Sequence, residues 1–325
     1  MYRVTVGVVS WYSTSFITNL FHNLRETALE SDLEFIICDN TNGEDRELYD
    51  ALGDDYQIIP FNPIVPRMWR RERRFGSCAH GLGLNFLLTK VNTECCLFVD
   101  PDCLILAKGW DIVCRSMLSD NCVAVGVPYH STKIPKYHNF PSPVFIFFRT
   151  EAFRKMGADW LAYMQPMIGE IKDLFLRAMA IWGGQLGERL VGRSFYHSRV
   201  AQIMRTVFGG SAKDTGWRLP SQARKLGYSA RLFTPAIVPE QLHPPLASEP
   251  TVLSLMNEFE VYLHQNIPLV THYYGVGHRR KGNVSESVQR WKTLSSAVAD
   301  ICREIDLNNY RSQGAIEKPF SKKHL

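Results

Sequence analysis

Two carboxylates separated by one proline, Asp100-Pro101-Asp102, directly follow the apolar run Cys95-Cys96-Leu97-Phe98-Val99. Acids at i and i+2 on a loop can converge on one hard divalent cation, which takes oxygen ligands. The proline between them fixes one backbone torsion and stiffens the turn. The same tripeptide also suits a plain strand-ending turn with its carboxylates exposed on the loop. Position separates the two readings, because ligands of open α/β sheets bind beyond the carboxyl ends of the strands. Asp39, followed by Asn40, closes a second apolar run, Phe35-Ile36-Ile37-Cys38, so two acidic positions fall at strand ends.

The elements that must carry these residues alternate in type. Val4–Val9 reads as a strand, and Phe16–Leu29 as a helix with apolar residues at helical spacing. A strand at 35–38, a short polar helix at 44–52, a strand at 56–60, a helix at 76–88 and a strand at 95–99 continue the rhythm. Such alternation predicts an α/β fold whose mostly parallel sheet is flanked by helices. The second half is less regular. Strands are expected at 122–127, 144–148 and 228–233, with a helix at 217–226. Residues 160–208 read as a helical insert whose apolar stretch Leu174–Trp182 is broken at Gly183-Gly184. An amphipathic helix is expected over Val288–Ile305, with a frayed polar tail after Asn308. The expected division is one large domain at 1–280, with halves at about 1–126 and 127–280, followed by a C-terminal helix and tail at 281–325.

Composition narrows the function classes. The chain has 325 residues, 45% of them apolar and 21% charged, which excludes a disordered or low-complexity protein. Its net charge of +5 is largely local: Arg67, Arg70, Arg71, Arg73 and Arg74 stand in one run with Glu72. That pattern argues against a general nucleic-acid binder. The run suits a solvated helix face, a phosphate contact or an anionic membrane surface. The eight cysteines form no C-x-x-C pair and sit mostly in apolar runs, so a reducing, cytoplasmic setting is expected. The opening strand pattern carries no basic n-region with a cleavage site, and no apolar stretch is long enough to span a bilayer.

Taken in order, the motifs resemble an inverting glycosyltransferase of the GT-A fold, family 2-like. The matching pieces are Ser10-Trp11-Tyr12, Ile36-Ile37-Cys38-Asp39-Asn40, the segment Gly76 to Asn85, Asp100-Pro101-Asp102, and Phe147 to Phe153. Asp214-Thr215-Gly216-Trp217-Arg218-Leu219, Lys225-Leu226-Gly227-Tyr228 and Thr271-His272-Tyr273-Tyr274 complete the set. The resemblance implies a Rossmann-like nucleotide-diphospho-sugar transferase that uses Mn²⁺ or Mg²⁺ and a nucleotide-sugar donor, UDP-sugar by default. The acceptor would be a glycan, a lipid-linked sugar or a protein, in polysaccharide or glycan assembly, with peripheral membrane contact open.

Residue by residue, it implies that Asp100 and Asp102 form the metal-binding pair, with Asp100 also meeting the ribose. Asp39 would hydrogen-bond the base or ribose, and Ser10 would stand beside the donor. His80 and Asn85 would approach the donor sugar. His272 would ligate the metal or contact the diphosphate, and His278 with Arg279, Arg280 and Lys281 offers an alternative phosphate contact. Asp214 would be the general base that accepts the acceptor hydroxyl's proton, with Glu151 and Asp159 as weaker candidates. Relatives carry an acidic pair shortly before the position of Asp214, whereas this chain has Ser211 and Ala212. That departure leaves two other readings open. One is a non-catalytic carbohydrate- or nucleotide-sugar-binding protein with a decayed site. The other is a retaining transferase or nucleotidyltransferase on the same scaffold, although Ser10–Ser15 lacks the glycine-rich phosphate loop of the latter.

Overall fold

A computed structural model describes residues 1–64, 75–162, 170–274 and 284–303. The Arg67–Arg74 run, the His278–Lys281 cluster and the tail after Asn308 lie outside the described residues. The strands are β1 (Tyr2–Ser10), β2 (Ser31–Asp39), β3 (Gln57–Pro60), β4 (Cys95–Val99), β5 (Cys103–Ile105), β6 (Cys122–Gly126), β7 (Phe145–Arg149), β8 (Ser229–Leu232), β9 (Thr234–Pro235), β10 (Glu260–His264) and β11 (Ile267–His272). The helices are α1 (Thr14–Thr27), α2 (Arg46–Leu52), α3 (Phe75–Lys90), α4 (Trp110–Met117), α5 (Thr150–Lys155), α6 (Glu170–Val191), α7 (Arg199–Phe208), α8 (Leu219–Lys225), α9 (Pro244–Ala247), α10 (Pro250–Glu258) and α11 (Val284–Arg303).

The expected α/β architecture is present. A seven-stranded sheet runs in the order β3-β2-β1-β4-β7-β6-β8. Its pairs are parallel except those made by β7, which runs antiparallel to β4 and β6. Strand alternation divides the core between the two faces. Val4, Val6, Val8, Leu97 and Val99 pack with residues of α1, α4, α10 and α11, while Cys96 and Phe98 pack with residues of α3, α5 and α8. The strand order reverses between β1 and β4, so the crevice beyond their carboxyl ends is a topological switch point. Ser10 and Asp100 stand at its two sides.

A second sheet, β5-β11-β10-β9, is antiparallel and lies immediately after the acidic turn. Its hairpin turns on Gln265 and Asn266, both at positive φ (47° and 66°), as a two-residue turn with both central residues left-handed requires. That turn, with one bulge at Tyr262/Leu263, sets a register in which His272 faces Cys103 on one side and Glu260 on the other. Trp291 of α11 is buried against this sheet and its indole N–H donates to Thr271 Oγ1 at 3.2 Å.

Several elements differ from expectation. Helix α6 runs unbroken through Gly183-Gly184, because packing against neighbours outweighs the glycines' low helix propensity. Strands β5 and β10 and helices α4 and α10 were not foreseen. The C-terminal helix starts at Val284, four residues before the expected Val288. All eight cysteines are buried free thiols.

Candidate active site

Strand β4 delivers the acidic turn to the mouth of the crevice. Asp100 N–H donates to Val144 O at 3.1 Å, and Asp100 O accepts from Cys103 N–H at 3.2 Å. This pins the turn between β7 and β5. The expectation of an exposed loop carboxylate at Asp102 needs correction: Asp102 is buried, and Asp100 is only partly open. The small sheet covers the turn, and Asp102 O accepts from Tyr273 N–H at 2.9 Å. His272 completes the cluster. Its Nε2 lies 3.2 Å from Asp102 Oδ1 and 3.9 Å from Asp100 Oδ2. One ligating atom from each of the three residues falls within 4.8 Å of the others. Two carboxylates and an imidazole suit a divalent cation such as Mn²⁺ or Mg²⁺.

The residue behind this cluster was not foreseen. Glu260 Oε2 stands 2.9 Å from His272 Nδ1 and accepts from the Tyr262 hydroxyl at 3.1 Å. Lys133 Nζ is 3.7 Å from the other oxygen. A carboxylate on the far nitrogen fixes the ring's orientation and directs Nε2 toward Asp100 and Asp102. Burial opposes the charged form of His272, but Asp102 and Glu260 outweigh it and hold the ring well above the usual histidine range. Burial likewise opposes ionised Glu260, yet the bond and charge of His272 hold it at about 2. Burial raises Asp100, with His80 and His272 opposing and Asp102 adding to the rise. The hairpin pattern around 260–272 was the available signal for Glu260, since antiparallel pairing across a short turn places it opposite His272.

Helix α3 brings the third wall. His80 Nε2 lies 3.3 Å from Asp100 Oδ1. Gly81 lets the helix press on the chain at Trp160: a Cβ there would sit 2.5 Å from Trp160 O. Asn85 is turned away from the cluster. It donates to Asp159 Oδ1 at 3.1 Å and accepts from Trp160 N–H at 2.9 Å, so its amide clips α3 to the segment after α5. Asp159 is also paired with Arg218. Glu151 pairs with Arg154 at the protein surface.

Asp214 comes to the same crevice from the loop before α8. Its carboxylate is 2.5 Å from Lys136 Nζ and accepts from Thr215 N–H at 2.9 Å. Lys136 also donates to the Tyr274 hydroxyl at 3.1 Å. Burial pushes Asp214 up, but Lys136 prevails, so its carboxyl lies below the usual range. The loop is seated by Thr215 Oγ1, which donates to Ser77 O at 3.0 Å, and by Ala212 N–H, which donates to Pro135 O at 2.9 Å.

At the ends of β1 and β2 the two expected donor contacts differ. The Ser10 hydroxyl is buried without a hydrogen-bond partner among the described residues. Asp39 is fully buried and accepts four hydrogen bonds, from Thr41 N–H, the Thr41 hydroxyl, Gly43 N–H and the Tyr49 hydroxyl. These match a carboxylate's acceptor capacity, so Asp39 is committed to holding its own loop.

No protein-family model and no curated protein matches the sequence. Among solved structures, the chain is similar to residues 1–349 of S. aureus TarS in complex with UDP-GlcNAc, at 14% identity and TM-score 0.34, covering 49% of this chain and 48% of that one. It is similar to the mannosyltransferase PcManGT of Pyrobaculum calidifontis, in complex with GDP-Man and Mn²⁺, at 14% identity and TM-score 0.35, covering 94% and 88%. It is also similar to the catalytic domain of Drosophila β1,4-galactosyltransferase 7, in complex with xylobiose, at 15% identity and TM-score 0.30, covering 55% and 60%. The chain spans about half the length of the first of these. The likenesses are distant, and the chemistry of the site rests on its own residues.

Proposed function

We propose that the chain is a metal-dependent glycosyltransferase of GT-A type that moves a sugar from a nucleotide-diphospho-sugar to a hydroxyl acceptor with inversion. The convergence of Asp100, Asp102 and His272 at the switch point between β1 and β4 carries this reading. The motif order along the sequence supports it. A divalent cation held by these three residues would supply positive charge to offset that developing on a departing nucleotide diphosphate.

The remaining roles belong to the chain's own groups. The buried Ser10 hydroxyl and the loop held by Asp39 border the nucleoside position. His80 braces Asp100, its Nε2 lying 3.3 Å from Asp100 Oδ1. Asp214 is kept ionised by Lys136 and can therefore accept the acceptor hydroxyl's proton near neutral pH. UDP-sugar is the default donor, and a glycan the default acceptor, in polysaccharide or related assembly.

A thermal-shift panel of nucleotides and nucleotide sugars, with and without Mn²⁺, tests the binding half. Selective binding raises the melting point by mass action. A metal-dependent shift with one nucleotide sugar, followed by release of free sugar and nucleotide diphosphate, is expected. No shift with any nucleotide would overturn it. A second reading, a nucleotide-sugar-binding protein without turnover, is favoured by the Lys136–Asp214 pair, which weakens Asp214 as a base. Binding without sugar release selects that reading.

A further inference from the structure

Helices α6 and α7 form a hairpin that returns through the 3-10 turn Arg193–His197. Its inner side is closed: Ala180, Phe195, Tyr196 and Ala201 pack on Ile134 and Ile237. Its outer side is apolar and open. On α6, Phe175, Met179, Trp182, Leu186 and Leu190 recur at intervals of three and four residues, and Trp182 and Leu190 are 72% and 74% exposed. On α7, Val200, Ile203 and Val207 repeat the pattern, with Ile203 62% exposed.

The two stripes share one face. The helices meet where a Cβ on Gly183 would lie 2.6 Å from Met204 Cε. At about 100° per residue, each stripe lies roughly 60° round its helix from that line, on the side away from the Ile134 contact. Because α7 runs back along α6, equal rotations bring both stripes to the same side. Single exposed apolar side chains are ordinary, but a continuous two-helix face marks an interaction site.

Charge identifies what it meets. Residues 175–208 contain five arginines against one acid, Glu188, with Glu170 and Asp173 preceding at the start of α6; Arg193 is taken up by Met256 O at 2.7 Å and Arg205 by Tyr196 O at 2.9 Å. Glu188 accepts from the Tyr196 hydroxyl at 2.9 Å. Arg189 and Arg199 are exposed near the edges of the stripes. A second copy docked on this face would oppose arginines with arginines. An apolar strip bordered by cations instead suits acyl chains below anionic headgroups.

We infer that the outer face of the α6–α7 hairpin seats the protein on an anionic lipid surface. The face connects to the site through the 3-10 turn Ile134–Lys136: Ile134 packs under the hairpin, and Lys136 pairs with Asp214. A lipid-anchored acceptor would thus be met close to the crevice. The docking itself stands independently of the reaction assigned above.

Co-sedimentation of the full chain with phosphatidylcholine vesicles, with and without about 30% phosphatidylglycerol, tests the inference. Binding to the anionic vesicles is expected to exceed binding to neutral ones by about ten-fold and to weaken with salt. The double variant Trp182→Ser/Leu186→Ser should lose about ten-fold in partitioning, as should Ile203→Ser/Val207→Ser on the other helix, with melting points near wild type because these side chains are already exposed. Arg189→Glu/Arg199→Glu should lose the preference for anionic vesicles. Wild type that ignores anionic vesicles, or variants that bind like wild type, would overturn the inference. Vesicle-free dimerisation abolished by Trp182→Ser/Leu186→Ser would also overturn it, assigning the face to a second copy. Nucleotide-sugar binding measured without vesicles reads the reaction assignment separately.

Discussion

Glu260 reaches the proposed metal position only through the ring of His272, so its loss should loosen the ion more than it loosens the fold. Glu260→Gln keeps the volume and removes the charge. We expect Mn²⁺ affinity to fall about 10- to 100-fold, read by calorimetric titration. An affinity within about two-fold of wild type would make Glu260 merely structural. Asp102→Asn should abolish metal-stimulated donor turnover, and wild-type turnover in that variant would remove Asp102 from the site. Lys136 and Asp214 form a mostly buried ion pair, so breaking it one-sidedly leaves a stranded charge. Lys136→Met should cost about 2–3 kcal/mol, discounted because the lysine side chain remains 26% exposed. Adding Asp214→Asn should recover part of that cost, and denaturant melts of the two variants decide the point. Asp100 and Asp102 were legible from type and spacing at a strand end, while His272 and Asp214 were pointed to by the motif resemblance. Lys136 and Glu260 were not, because their meaning arises from partners 78 and 12 residues away, brought near only by the fold.

At the scale of elements, the β10–β11 turn controls which residue backs His272. Replacing Gln265-Asn266 by Asn-Gly supplies residues that accept left-handed torsions at lower cost. We expect about 0.5–1 kcal/mol of stabilisation with no change in metal affinity. Destabilisation in thermal melts would mean that the register does not depend on this turn. Helix α3 makes the opposite case. Gly81→Ala drives a methyl into Trp160 O and should cost about 1–3 kcal/mol while moving His80 away from Asp100. An unchanged melting point would show that the helix can shift freely. The parallel half of the large sheet was readable because its strands alternate with periodic helices. The small sheet was less so: β5 has three residues and β10 begins with an acid, so neither carries a strong strand signal. The unbroken α6 escaped reading because its glycines face close neighbours, a fact invisible to local propensity.

For the whole molecule, acid sensitivity should begin well above the carboxylate range. Burial depresses His130 from 6.5 to about 4, with Glu260 pulling the other way. Its Nδ1 stands 2.9 Å from the Thr132 hydroxyl. The unfolded chain takes up this proton near pH 6.5 and the folded chain only near 4. Stability is therefore full above 6.5 and falls as pH drops toward 4, by about 3 kcal/mol from this residue. His138 is depressed by burial over the same window, also to about 4, so His130→Gln should reduce the slope of the melting point there by about half, and an unaltered slope would assign the acid sensitivity elsewhere. Glu260 contributes in a lower window, lost as pH falls from 4.5 toward about 2. The eight enclosed thiols give the molecule a built-in gauge of opening. Burial lifts Cys38 to about 12 and Cys95 to about 11, which suppresses their thiolates as well as their access to reagent. If the chain opens as one cooperative body, an alkylating pulse leaves two mass populations, one untouched and one carrying eight adducts. Intermediate masses would map which sector breathes alone, with Cys302 reporting on α11 and Cys96 on the central strand.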